Sequence, residues 1–509
     1  MTAICLGSFI LLLDVTIVTV ALPDMAKDLN ASYTSLQWVI DAYSLALAAV
    51  LLVAGSLADI HGHRRWYVIG LSVFGVASLG SALAPNGDLL VTARAVQGLG
   101  GAAMFATSAA LIASTYQGRD RGTAFGFWGA VNGAGAAAGP VLGGLLTEGL
   151  GWQAIFLVNL PIVAVAACLT LRVVAADRPR HERHAGARVD YLGSLAFTVC
   201  AGLVTYALIT GGDGGGWGRP RVLACFAAAV LALVAFVVVE QRSAYPMLDL
   251  RLMRSPRFDG LMAAALLVQG ASFGSLMLVS LWLQSLLDLS PIAGGLAMTP
   301  LALVSFAVSG AAGRFIQRIP SWVALGCGAL LIALGLLVLA LSVHTDSGRS
   351  SLYAGFAVIG VGVGLFTPVL VAAATASVPP RRAGMAGGAV NTFRQLGLTL
   401  AIAVFSAMFT SRARDVLAAS GRVPDAQRAA TALGGGQGQA LLRQVPAGQR
   451  DAAAELLRHA ATAGLDRLFL VSAVAAAMGA VLIFTLVRPR RTPAPAPAPE
   501  AEPLAAARG

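Results

Sequence analysis

Three charged residues stand inside long apolar runs: Asp14 in LDVTIVTVALP (Leu13 to Pro23), Asp41 in QWVIDAYSL (Gln37 to Leu45) and Arg94 in RAVQGLGGA. A charge in such a run costs about 2.5–3.5 kcal/mol to place in a bilayer, so each is by default a candidate functional residue. At 1.5 Å per residue, Asp14 falls about 12 Å below the outer end of its run. Asp41 and Arg94, about five and six residues into theirs, reach nearly the same depth. Two carboxylates and a guanidinium in one layer suggest a proton relay. The carboxylates can take up and release protons, whereas Arg94 keeps its own and tunes its neighbours by charge. Two plainer readings stay open: a protonated Asp14 that holds two helices together, and Arg94 as half of a structural ion pair. Asp41 admits two roles, a counter-ion for a cationic ligand or a second protonation site. Tyr43 follows it by two residues, roughly 200° around a helix and so on a different face.

The composition says what positions these residues. The chain has 509 residues, 57% hydrophobic and 12% charged, with mean hydropathy +0.77, far from the balance of a soluble domain. It reads as an all-α integral membrane protein. Its net charge is +11, but the basic residues, Arg with the single exception of Lys27, sit between apolar runs, which argues for membrane orientation and against nucleic acid. Cys5, Cys168, Cys200, Cys225 and Cys327 lie within apolar runs without a CxxC pair, so no disulfide framework and no metal site is expected. No HExxH, GxSxG or clustered His/Cys marks an enzyme. The first run lacks a basic leader and carries Asp14, so it is expected to be a retained span.

Fourteen apolar runs are long enough to cross a membrane, among them 152–173, 258–285, 386–410 and 467–487. Arginines gather in alternate connections: Arg64 and Arg65, Arg119 and Arg121, Arg172 to Arg188, Arg242 to Arg257, Arg314 and Arg318, Arg381 and Arg382, and the tail. The positive-inside rule then puts both termini in the cytoplasm. The expected plan is two six-helix halves, 1–173 and 258–487, with two helices and their linkers inserted over 174–257. Residues 411–466 form an extracytoplasmic loop, in which Gly448 to Ala463 can make an amphipathic helix, and 488–509 a disordered Pro-Ala tail. His181, Glu182 and His184 read as solvated linker residues. Gly211 to Gly218 (GGDGGGWG) lacks the Gly-Lys-Ser/Thr ending of a phosphate loop and reads as a flexible connection.

One run has almost no side chains. From Trp128 to Gly144 it reads WGAVNGAGAAAGPVLGG, with Gly135, Gly139 and Gly143 four residues apart on one helix face, where a neighbouring backbone can approach closely. Pro140 removes one intrahelical bond there. This string resembles the antiporter motif in the fifth span of major facilitator superfamily exporters. LDVTIVTVALP is similar to the first-span signature of that superfamily's 14-span drug:proton antiporters, and RAVQG (Arg94 to Gly98) to the fourth-span motif the family links to proton transfer. GSLADIHGHRR (Gly55 to Arg65) resembles the signature loop after the second span. Ile60 and His63 stand there where the family usually has basic residues, which points to a weaker or partly pH-dependent latch. WQAIFLVNLP (Trp152 to Pro161), PMLDLRL (Pro246 to Leu252), SPIAGGLAMTP (Ser290 to Pro300) and GGAVNTFRQLG (Gly387 to Gly397) extend the resemblance over nearly the whole chain. One departure is Ser305 in the tenth span, where some multidrug members carry an acid.

The resemblance implies proton-coupled efflux of lipophilic, cationic drugs or antibiotics across the bacterial cytoplasmic membrane. Alternatives are a dedicated exporter of one endogenous antibiotic or lipid-like metabolite, and a non-transporting membrane sensor. Asp14, Arg94 and Asp41 would couple protons. Gly55, Asp59, Gly62, Arg64, Arg65, Gly135, Gly139, Pro140 and Gly143 would serve the conformational change. Asp41, Tyr43, Asn132, Gln269, Gln284, Asn391 and Gln395 would meet the substrate, although each of the amides has an ordinary helix-packing role beside this one. The expected partners are a small lipophilic substrate, protons and membrane lipid, with no cofactor beyond the proton gradient, and a monomer.

Overall fold

The computed structural model describes residues 1–29, 33–177, 190–211, 218–243, 252, 255–315, 319–345, 347–379 and 382–488. The linker histidines His181 and His184, most of the glycine-rich connection, most of Pro246 to Leu252, Arg318, Arg381 and the Pro-Ala tail lie outside the described residues. Those described form an all-helical protein. In chain order the helices are α1 (Thr2–Asp28), α2 (Tyr33–His61), α3 (His63–Ala82), α4 (Gly87–Thr115), α5 (Gly118–Leu150), α6 (Ala154–Leu157), α7 (Asn159–Val173), α8 (Tyr191–Thr210) and α9 (Pro220–Arg242). There follow α10 (Pro256–Phe273), α11 (Leu276–Ser285), α12 (Pro291–Phe315), α13 (Ser321–Ser342), α14 (Ser351–Ala376), α15 (Ala383–Ala419), α16 (Ala426–Gly434), α17 (Gly438–Arg443) and α18 (Arg450–Leu482).

Among the described residues, eleven helices are long and apolar enough to cross a membrane. Against the expected fourteen runs, α1, α3 and α5 fall short of that measure. In α1 and α5 the apolar stretches counted among the described residues are Thr2–Val18 and Val141–Leu150. In α3 the apolar residues are diluted by Gly and Ser. The outer surface is what a bilayer demands. On α9, Leu223, Val230, Leu231 and Val234 are all more than half exposed, an apolar face too large for water.

Two groups of helices form, α1 to α7 and α10 to α15 with α18, while α8 and α9 pair with each other and α8 lies along α2. The groups meet along two seams, α5 against α12 and α14, and α2 with α4 against α15. The expected loop over 411–466 is largely helical. The helix α15 runs on to Ala419, α16 and α17 follow, and the expected amphipathic stretch belongs to one continuous helix with the last span, α18. Asp425 accepts the Arg428 N–H at 2.8 Å to start α16, and Gly421 and Gly436 take the positive φ that the turns need. The segment is anchored by Leu433 and Ala461, which close with Phe409 over Leu281 and Trp282 of α11.

Candidate functional site

Asp14 is fully buried, and both its oxygens are engaged. Arg94 of α4 donates to Oδ2 at 2.5 Å, while Gln97 of α4 and Asn159 of α7 each donate to Oδ1 at 2.9 Å. Arg94 and Gln97 are three residues apart on one face, and the Arg94 guanidinium also donates to Gln97 Oε1 at 2.7 Å. Ser78 of α3 closes the set. Its hydroxyl donates to the Phe156 carbonyl at 3.0 Å and accepts from Asn159 at 2.8 Å and from Gln97 at 3.4 Å. Five helices or helix ends thus converge on one carboxylate, and every donor aimed at it favours an anion.

Arg94 is held as firmly. Its Nε donates to the Val39 carbonyl of α2 at 3.0 Å, and its guanidinium lies 4.3 Å from the centre of the Tyr43 ring. The close approach of α2 needs Gly98, because a Cβ there would strike the Tyr43 carbonyl. Tyr43, expected at the substrate, therefore packs beneath Arg94, 1% exposed and with its hydroxyl unpartnered among the described residues. Asp41 is half-buried on the same helix.

The glycine run of α5 does two jobs. A Cβ on Gly135 would sit 2.6 Å from the Phe9 carbonyl, and one on Gly139 would collide with the Thr16 hydroxyl, so this stripe is the seat of α1, the helix that carries Asp14. Gly143 is buried further along, and the helix continues through Pro140 to Leu150. Gly129 and Gly133 face the other group, against Pro368 of α14 and Ala302 of α12. The helix α5 thus packs on α1 along one stripe and on α12 and α14 along another.

The second seam ends in a latch. Asp59 at the end of α2 accepts the backbone N–H groups of Gly384 at 2.8 Å and Met385 at 2.7 Å, which caps the N-terminus of α15. His63 Nε2 lies 2.7 Å from the same carboxylate. Gly55 meets Gly384 backbone to backbone, and Gly62, at φ 110°, makes the turn into α3 that only glycine takes without strain. The neighbouring Arg64 and Arg65 meet other groups. The Arg64 and Arg65 backbone N–H groups are taken by Asp177 at 3.2 and 2.9 Å, and the Arg64 side chain donates to the Leu171 carbonyl. Across the first seam Arg121 donates to Thr375 at 2.8 Å.

The expected polar anchors divide. Gln269 and Asn391 are brought together by Arg394, which donates to the first at 3.0 Å and to the second at 3.1 Å. Gln284 donates to Ser280 at 2.9 Å, Gln395 and Asn132 are half-buried, and Asn132 Oδ1 has no partner among the described residues. The residues that sequence reading passed over are Ser78, Gln97, Asn159 and Arg394. Gln97, Asn159 and Arg394 lie within the motif strings, and the signal was the one that marked Asp14, a strongly polar side chain inside an apolar run. Among the described residues no group of three His, Cys, Asp or Glu could hold a metal ion.

Residues 4–402 match the family model of the Major Facilitator Superfamily. The chain is 37% identical over 408 residues to the multidrug resistance protein Stp of Mycobacterium tuberculosis, covering 80% of this chain and 74% of that one. It is 36% identical over 431 residues, 84% of each chain, to the puromycin resistance protein pur8 of Streptomyces alboniger. The crystal structure of the human organic anion transporter MFSD10 shares the fold alone, at 14% identity and TM-score 0.60, covering 93% of this chain and 98% of that one.

Proposed function

The chain belongs to the major facilitator superfamily, and from that premise we propose that it exports lipophilic drugs or antibiotics in exchange for protons, by alternating access. The observation that carries the reading is the buried Asp14 with its three donors. In the arrangement described, the site suits a carboxylate. A proton reaching Asp14 removes the charge that Arg94, Gln97 and Asn159 hold, and loosens α1 from α4 and α7. The glycine seat on α5 lets α1 shift, and α5 passes the shift to α12 and α14. Opening the other way requires Asp59 to release the N-terminus of α15.

The topology that goes with this reading has fourteen spans, α1, α3 and α5 included, with both termini in the cytoplasm of a bacterium and the protein acting as a monomer in the inner membrane. The halves are 1–173 and 258–487, and the folded segment 411–466 lies outside the cell. Asp41, a half-buried carboxylate on α2, is the counter-ion for a cationic cargo in this reading. Relatives named for resistance to one antibiotic, puromycin or methylenomycin A, favour a second version, in which the natural cargo is a single antibiotic. The test is uptake into everted membrane vesicles under an imposed pH gradient, with a panel of cationic and neutral compounds. Gradient-dependent uptake is expected, and no gradient-dependent movement of any compound would refute the antiport.

A further inference from the structure

A second guanidinium lies in the middle of the membrane layer, on α15. Gly387 of that helix faces α4, where its Cβ would lie 3.5 Å from the Ala106 carbonyl and from Ala109. Asn391 and Arg394 follow four and seven residues later, on the same face, towards the other group of helices. Arg394 comes eleven residues after the first residue of α15, Ala383, or about 16 Å along it, roughly half of the hydrocarbon core.

Its partners are neutral. The two hydrogen bonds of Arg394 go to the amide oxygens of Gln269 and Asn391, and no carboxylate among the described residues forms an ion pair with it. Arg94, by contrast, has Asp14. A guanidinium carries five N–H donors, and these bonds leave three unused. Asn391 is 1% exposed, and its Nδ2 group has no partner among the described residues, which adds two more donors beside the charge. A half-buried cation without a counter-charge is costly within a membrane, and a cluster of spare donors around a planar fork is the complement of an oxyanion.

We propose that Arg394, oriented by Gln269 and Asn391, is a recognition site for an oxyanion, and that the occupant is the carboxylate or enolate of the exported molecule. The depth decides between two sources of such a group, because a lipid phosphate stays near the membrane surface while the cargo must cross the middle. The proposal rests on the exporter reading and extends it. With Asp41 in one half and Arg394 in the other, the cargo class includes acids and zwitterions as well as cations.

The test uses purified full-length protein in detergent micelles and two dyes, rhodamine B with its free benzoate and its ethyl ester, read by fluorescence anisotropy. Wild type is expected to bind the acid about ten-fold more tightly than the ester, the effect of one charge-assisted contact. Arg394→Gln should bring the two within about two-fold of each other while ester binding is kept. Asn391→Asp should do the same with little change in volume, because it supplies Arg394 with an internal carboxylate, and it covers the case in which Arg394→Gln does not fold. Equal binding of acid and ester by wild type, binding of neither, or a preference that survives both substitutions would overturn the proposal. Competition by added phosphatidylglycerol against the acid, present in wild type and absent in Arg394→Gln, would assign the site to a lipid phosphate and overturn the cargo assignment. Binding in micelles needs no gradient, so failure here leaves the antiport reading intact, and failure of antiport in vesicles leaves this result intact.

Discussion

At the scale of residues, Asp14 and Arg94 work through the groups around them. Either neutral substitution at Asp14 leaves the Arg94 charge uncompensated, at a cost of up to about 3–5 kcal/mol, but Asp14→Asn keeps size and hydrogen bonds to its neighbours and should lose less stability than Asp14→Ala, which also opens a cavity and leaves those donors unmet. Arg94→Lys is expected to lose export, because an ammonium cannot reach Asp14, Gln97 and the Val39 carbonyl with one planar fork. Asn159→Leu and Gln97→Leu should each lower stability by about 1–3 kcal/mol, the range for a buried hydrogen bond lost at a charged acceptor. Both donate to Asp14 Oδ1, so the double variant should differ from the sum of the singles. Thermal unfolding of the purified variants checks this, and strict additivity would argue against a shared acceptor. Asp14, Arg94 and Asp41 were legible in the sequence because charge in an apolar run is rare. Asn159 and Arg394 carry the same kind of signal, but a motif string does not reveal which side chains face inward.

At the scale of elements, the seat between α1 and α5 predicts a graded response. Gly139→Ala places its methyl against the Thr16 hydroxyl, whereas Gly135→Ala meets the Phe9 backbone carbonyl. Export by Gly139→Ala should therefore be partly restored by Thr16→Ala, which removes the colliding atom, while no side-chain change at Phe9 should restore Gly135→Ala. Drug export from cells, normalised to the amount of protein in the membrane, reads the outcome. Equal rescue of both glycine variants would contradict the packing. The four-residue glycine spacing already announced a close helix contact, but not that α1 is the partner or that Gly129 and Gly133 face the opposite group. Those follow from three-dimensional arrangement. The segment 411–466 was the least legible, because its helices Ala426–Gly434 and Gly438–Arg443 are too short to stand out from a loop without the packing on α11 and Phe409.

At the scale of the whole molecule, the account joins a proton site in one group of helices to a latch between the two. Asp59→Ala removes a helix cap worth about 1 kcal/mol, enough to shift a two-state balance roughly five-fold towards the form with that end open. In a background with all five cysteines replaced, a cysteine at Ala106, beside Gly387, should then react several times faster with a membrane-impermeant thiol reagent from the cytoplasmic side. An unchanged rate would mean that Asp59 does not hold the seam. The topology has its own check, since a cysteine at Gly435 should react only from outside. The most direct test of the central claim is transport by Asp14→Asn beside wild type in everted vesicles, at matched protein amount and over a series of imposed pH gradients. The account predicts uptake that rises with the gradient in wild type and stays at the no-gradient level in Asp14→Asn. Gradient-driven uptake by Asp14→Asn equal to wild type would contradict it.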